Sequence, residues 1–253
     1  MFGEERHDEI IKLLGSGRVV PVGEIAKRLF VSEATVRRDL NQLEKEGVVR
    51  RVYGGAVLSS SNRDVPLLMR EGEAFEAKQK IGRIAASMVR ENDVIMLDAS
   101  STVYNMIQYL RDFKNLVVIT SGVKSAMALG ERHIKTYLTG GSVVDNSFSM
   151  VGNHAAEFVR HLNVDTFFFS CRGISEDGQL TDSSVDEAQL RQLMMQHSKR
   201  NVCLMSHNKI GRSYFYVLGQ VQDMDDIICD EDVPESFRRA GTRGKAPIIH
   251  TDL

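Results

Sequence analysis

The sequence predicts an α/β chain in two unequal parts: a small helical unit closed by a β-hairpin over 1–58, then a larger Rossmann-like parallel-sheet domain over 73–233. A linker over 59–72 joins them and a tail over 234–253 follows. Three observations predict this. Residues 1–58 carry three short amphipathic stripes and then an alternating run of β-formers and arginines. After Asn92 the chain repeats an apolar strand, a small-residue turn and a helix, the pattern of a parallel sheet covered on both faces. The 253 residues, 42% hydrophobic and 26% charged, are enough to bury a substantial core and polar enough to dissolve.

Ile10, Leu13 and Leu14 form the first stripe, which stops at Gly15 and Gly17. Ile25, Ala26 and Leu29 form the second, entered at Pro21. After a turn at Phe30–Val31, Ser32 is a good N-cap for EATVRRDLNQLEKEG, which Gly47 closes. VVRRVYGGAV then turns at Gly54–Gly55. SSSNRD reads as linker, and 73–90 as a helix striped by Ile81, Ile84, Ala85 and Met88. DVIMLD, LVVITS, IKTYLT, VDTFFFS, NVCLMSHNK and DIICD read as strands, and ASSTVYNMIQYL and GVKSAMALGER as helices. From Pro234 no periodicity is visible.

No apolar run approaches the roughly 20 residues that span a bilayer, and MFGEERHDEI lacks the apolar core of a secretion signal. Cys171, Cys203 and Cys229 are too few and too widely spaced for a disulfide framework. A reducing cytoplasm with no membrane contact is therefore expected. The net charge of −2 hides a split: residues 1–58 carry ten Lys/Arg against nine Asp/Glu, and the remainder is acidic. A small basic edge on an acidic body can still face phosphates.

Two helices, a tight turn, a third helix and an arginine-bearing hairpin describe a winged helix-turn-helix. At 100° per residue Val36, Leu40 and Leu43 point inward, so Arg38, Asn41 and Lys45 point outward with Arg37 and Gln42 on the flanks. Arginine pairs with guanine edges and the amides with adenine, which suits the major groove of double-stranded DNA. Ser32 and Thr35 lie where a helix N-terminus meets phosphate, and Arg50, Arg51 and Tyr53 on the wing reach the backbone or minor groove. The bland alternative is a solvated helix face with Asp39 paired to a nearby arginine. Arg6, Ile10 and Leu14, the run Ser32–Leu40 and GVVRRVYGGAV together resemble the signature of DeoR-type transcriptional regulators, which implies operator binding.

In the larger domain, small polar clusters follow the strands: Asp98 with Ser100, Ser101 and Thr102; Ser121 with Gly122; Gly140 with Gly141. Ligands of open α/β sheets bind beyond the carboxyl ends of the strands. Amides and hydroxyls of the first cluster could hold a phosphate, with Lys209 or Arg172 as countercharge and Asp98 assigned to ligand hydroxyls or to orienting the loop. Residues 73–230 also resemble the DeoR-family sensor domain, similar in fold to ribose-5-phosphate isomerase. That resemblance implies a phosphorylated sugar or sugar-like effector, a repressor of carbohydrate genes and no other cofactor. The chain departs from the family where a glycine is usual, at Ala99 or Ser100, and in the aromatic run VDTFFFSCRG.

The alternative function is a sugar-phosphate isomerase bearing a nucleic-acid-binding domain. Glu187 is its one obvious candidate base, and Phe167–Phe169 stand where such enzymes have carboxylates, so Glu187 reads instead as a ligand-hydroxyl contact or helix-start residue. No catalytic residue is assigned. Cys203 with His207 lacks a third ligand, and His154 and His161 are seven apart, so no metal site is expected. One recognition helix reads too few bases for genomic specificity, so a homo-oligomer, dimer or tetramer, is expected.

Overall fold

A computed structural model describes residues 3–14, 19–45, 48–52, 54–58, 67–110, 113–239 and 245–252. The chain divides into two compact units, residues 1–65 and 66–253.

The first unit runs α1 (Gly3–Leu14), β1 (Val20–Pro21), α2 (Val22–Leu29), α3 (Glu33–Lys45), β2 (Val49–Val52) and β3 (Gly55–Leu58). Its three apolar stripes meet in one core: Ile10 and Leu14 from α1, Ile25 and Leu29 from α2, and Val36, Leu40 and Leu43 from α3 are all buried. The expected hairpin pairs Arg51 with Ala56 and gains a third strand, because β1 adds antiparallel to β3. Two residues are too few to carry a readable period. The turn before α3 closes with Val31 N–H donating to the Ala26 carbonyl (3.1 Å), Phe30 adopting φ 55°.

The second unit continues with α4 (Leu67–Gly72), α5 (Phe75–Ser87), β4 (Val94–Leu97), α6 (Ser101–Tyr104), β5 (Val117–Thr120), α7 (Val123–Glu131), β6 (Lys135–Leu138), β7 (Ser142–Val144), β8 (Ser149–Val151), α8 (Asn153–Arg160) and β9 (Val164–Phe169). Then come β10 (Gly173–Ile174), β11 (Gln179–Asp182), α9 (Val185–Gln196), β12 (Ser198–Met205), β13 (Tyr216–Gln220), β14 (Asp226–Cys229) and β15 (Ile248–His250). Seven strands form a wholly parallel sheet in the order β15-β14-β12-β9-β4-β5-β6. From β4 the chain adds β5 and β6 on one side, then returns to place β9 on the other. The order therefore reverses between β4 and β9.

The aromatic run of β9 follows from this central place. Phe167 and Phe169 stack at 5.2 Å in the core on one sheet face, and Phe168 enters the core on the other. All three are fully buried, each worth about 1.5–3 kcal/mol in apolar burial. A strand buried on both faces reads as a continuous apolar run.

Three expectations need correction. The linker does not extend to 72: α4 already belongs to the second unit, its Leu67 buried and its Leu67 N–H donating to the Asn146 carbonyl (2.7 Å). The helix expected after Asp98 is a single turn, α6, followed by a 3-10 turn at Ile107–Tyr109. Asn105 Nδ2 donates to the Ser101 carbonyl (2.8 Å), a local side-chain bond that competes with helix continuation. The segment from Pro234, expected to be a tail, is structured over its described residues 234–239 and 245–252: Phe237 is fully buried and β15 pairs with β14, where His250 Nε2 meets Asp226 Oδ1 at 2.8 Å. A three-residue strand at a sheet edge leaves no periodicity to read.

Candidate functional site

In the first unit the outward face of α3 is the expected one. Arg37, Arg38, Asn41, Gln42 and Lys45 are exposed while Asp39 is buried. Asp39 turns inward to α1, where Arg6 Nε and Nη2 grip its two oxygens at 2.5 and 2.9 Å and His7 lies at 3.5 Å. Burial pushes the Asp39 carboxyl up, but the Arg6 guanidinium outweighs it and holds it below its usual range. The Arg-Arg-Asp sequence thus divides its labour: Asp39 fastens α3 to α1, and both arginines are left facing solvent.

The neighbours differ in readiness. Ser32 Oγ accepts from Thr35 N–H (3.1 Å) as the N-cap. Arg37 pairs with Glu33 at 3.0 Å, and Arg51 Nη1 donates to Asn41 Oδ1, tying the wing to α3. Arg38 makes no hydrogen bond or ion pair among the described residues. The Arg50 side chain and Tyr53 lie outside the described residues.

In the second unit the site forms at the reversal between β4 and β9, where open sheets leave a crevice for ligands. Asp98, just after β4, is 1% exposed with both oxygens engaged. Oδ1 accepts from Ser100 N–H (3.0 Å) and Ser100 Oγ (2.6 Å), and Oδ2 from Ser170 N–H (3.1 Å) and Arg191 Nε (2.9 Å). Its work is to orient the loop. Arg191 also donates to Asp182 at 2.6 Å and lies 3.9 Å from Glu187. Burial opposes the charge on Arg191, and these three carboxylates outweigh it. Glu187 is thereby turned to Arg191, while its own N–H is held by the N-cap Ser184 (3.4 Å).

Lys209 reaches in from beyond β12. Its Nζ donates to Ser170 Oγ (2.6 Å) and Thr102 Oγ1 (3.3 Å), hydroxyls that follow β9 and β4. Burial pushes the Lys209 ammonium down, and Arg172 adds to this. A second lysine, missed in the sequence, lies close: Lys78 on α5 is 3% exposed and donates to the Arg70 carbonyl. Burial, with the nearby charge of Lys209, pushes it down to about 7. Among the described residues neither ammonium has a carboxylate partner. Lys78 sits three residues before Ile81, on the apolar stripe of its helix, and a cation in an apolar stripe was the signal available.

The other predicted residues divide. Ser121 and Gly122 adjoin the first loop, and a Cβ on Gly122 would stand 3.1 Å from Ala99 Cα. Ser101 is buried without a side-chain hydrogen bond among the described residues. Gly140 and Gly141 shape the turn: Gly140 has φ 74° with open space where a Cβ would stand, and Gly141 has φ 106° with a Cβ position that would run into the Val151 carbonyl. Above the crevice, Glu71 of α4 holds Lys124 of α7 at 2.5 Å, and that ammonium lies 5.0 Å from the Tyr104 ring. All three cysteines are buried and free. No group of potential metal ligands occurs among the described residues, and no described helix is long and apolar enough to cross a membrane.

An exposed arginine-bearing helix in a winged unit, joined to a parallel-sheet domain with a cationic crevice, defines a DNA-binding transcriptional regulator with a sensor domain. The family models agree: residues 6–62 match the DeoR-like helix-turn-helix domain and residues 73–231 the DeoR C terminal sensor domain. The chain belongs to the DeoR family of transcriptional regulators and is not an isomerase. It is 34% identical over 250 residues to the HTH-type transcriptional regulator GolR of Listeria innocua, covering 98% of each chain. It is 30% identical to the HTH-type transcriptional repressor GlcR of Bacillus subtilis, covering all of this chain and 98% of that one. With the glycerol-3-phosphate regulon repressor of Escherichia coli it shares 26% identity over 94% of this chain and 95% of that one. Ribose-5-phosphate isomerase A of Methanocaldococcus jannaschii superposes with a TM-score of 0.42 over 54% of each chain at 15% identity, too loosely to support any argument.

Proposed function

We propose that this regulator is an operator-binding repressor of carbohydrate-metabolism genes, acting in the cytoplasm as a homo-oligomer and controlled by a phosphorylated sugar or sugar-like metabolite. One observation carries the effector reading: Lys78 and Lys209 are neighbouring cations at the crevice, held by a carbonyl and two hydroxyls rather than by carboxylates. Glu71 and Glu73 lie near Lys78 and Asp98 near Lys209 without bonding to either ammonium; a buried charge without a bonded counter-ion is costly, and a phosphate dianion would supply one to both. The relative named the glycerol-3-phosphate regulon repressor supports a phosphorylated effector, and the one named a transcriptional repressor supports repression. The crevice contributes to control because α4 and α5, which carry Glu71 and Lys78, follow the wing and linker directly in the chain. A ligand changes operator affinity only by favouring one arrangement of the protein over another.

The test is a thermal-shift panel of phosphorylated sugars, sugar acids and polyols, each beside its unphosphorylated partner. A ligand at 100 times its Kd stabilises the fold by about 2.7 kcal/mol, and the response should require the phosphate. A panel in which free sugars do as well would refute the site.

Lys78 adds a proton signature. Its pKa of about 7 leaves it mostly neutral at pH 8. A bound dianion stabilises the charged form, so binding at pH 8 takes up a proton, and affinity falls as pH rises from about 7 to 9. Calorimetry of a panel hit in buffers of different ionisation enthalpy measures the uptake, which should vanish in Lys78→Met. Buffer-independent heats would rule it out.

For the DNA face, Arg38→Ala should weaken binding to an operator selected from a random duplex pool by about 1–3 kcal/mol and relax specificity at one base pair. Lys45→Ala should weaken all duplexes alike and reduce the salt slope by about one. Anisotropy titrations at several salt concentrations separate the two. Unchanged binding by Arg38→Ala would mean that the reading face of α3 lies elsewhere.

A further inference from the structure

At the end of the sheet opposite the crevice, where β5 and β6 begin, lies a cavity of about 510 Å³, within the size range of small-molecule sites. Its wall is apolar on one part, with Leu116 buried and Phe113 and Ile134 partly buried, and polar on the rest, with the cations Arg132 and Lys135 beside Asn115 and His133. No acidic residue lines it among the described residues.

Arg132 is the telling group. Its Nη1 donates to the Ala128 carbonyl (2.9 Å) at the end of α7, which fixes the guanidinium. Its Nε is enclosed without a hydrogen-bond partner, and the Nε–Nη2 edge has none among the described residues. Buried polar groups are rarely left so. Elsewhere in this chain that same edge holds a carboxylate: Arg6 grips Asp39 and Arg200 grips Asp226, each through Nε and Nη2. Lys135 Nζ stands at the cavity's edge, 5.7 Å from the Tyr137 ring.

We propose that this cavity is a second ligand site, taking a small organic carboxylate with an apolar body. The carboxylate pairs with Arg132 through Nη2, the open corner of a guanidinium whose Nη1 is fixed and whose Nε is enclosed, and the apolar body lies against Phe113, Leu116 and Ile134. A hydrated sugar phosphate matches this wall poorly, so the site differs in ligand class from the crevice. The two ends are joined by β5 and by the nine residues of α7, a helix about 13 Å long that runs from the Ser121–Gly122 loop to Arg132. Occupancy at one end therefore bears on an element that borders the other.

The experiment uses the full-length chain with labelled Leu, Val and Ile methyl groups, titrated with benzoate and hexanoate against benzamide and hexanamide at constant ionic strength. The acids should shift the Leu116 and Ile134 methyls saturably and the amides should not. Arg132→Gln should weaken benzoate by about tenfold or more, the loss of a charged hydrogen-bonding partner, and Lys209→Met should leave it unchanged. Equal shifts with the amides, no saturable shift, or wild-type affinity in Arg132→Gln would overturn the proposal. Should Arg132→Gln lose the native methyl spectrum, Lys135→Gln decides: weaker benzoate binding supports the site, and unchanged binding overturns it.

Discussion

Arg191→Met should destabilise the second unit by about 3–5 kcal/mol, the usual consequence of removing one partner from a buried ionic network. The guanidinium is the only cation that touches Asp98, Asp182 and Glu187 together among the described residues, and both aspartates are 1% exposed. Its loss strands negative charge in the core. The expected drop in Tm, on the order of 10 °C for a domain of this size, is read by circular dichroism on the full chain. Arg191→Lys should recover only part of it, since an ammonium cannot bridge two carboxylates with a planar fork. A loss below about 1 kcal/mol in the methionine variant would mean that the carboxylates reach water and that the network does not organise the crevice.

The second large effect belongs to Lys209. Replacing it with methionine removes a buried cation whose hydrogen bonds among the described residues go to hydroxyls alone, so the unliganded protein should be no less stable and possess the same operator affinity within about twofold. Effector affinity, in contrast, should fall by about 10–100-fold, the worth of a charge-assisted hydrogen bond to phosphate in a dry site. Thermal shift with a phosphorylated panel hit and anisotropy on operator DNA measure the two sides. Loss of operator binding with the fold intact would show that Lys209 serves the DNA-bound arrangement rather than the ligand. A decline in unliganded stability would show that its bonds to Ser170 and Thr102 do structural work.

The sequence was most legible where local chemistry repeats. The period of Val36, Leu40 and Leu43 set the face of α3, and the same arithmetic placed Arg38 outside. The strand ends that line the crevice were legible as small polar turns after apolar runs, and Lys209 was found as a lysine after such a strand. What was missed comes from residues distant in sequence. Arg191 lies 93 residues from Asp98, and nothing in its helix says which carboxylate it will meet. Lys78 is one charged residue among several in its helix, and only burial and proximity to Lys209 distinguish it. Asn41 looked like a free reader of adenine, and only the folding of the wing against α3 brings Arg51 to it.

By itself, then, the sequence determined two domain types, the inward and outward faces of α3, and the end of the sheet where the small polar turns gather. These follow from side-chain period and turn chemistry, which act over a few residues. Tertiary structure alone decided that Asp98 spends its oxygens on the loop and Arg191, that Lys78 and Lys209 come close together with no carboxylate bonded to either among the described residues, and that β15 completes the sheet from a stretch with no visible pattern. Burial and the pairing of charges depend on which strands become neighbours, and in a parallel sheet those neighbours come from distant parts of the chain.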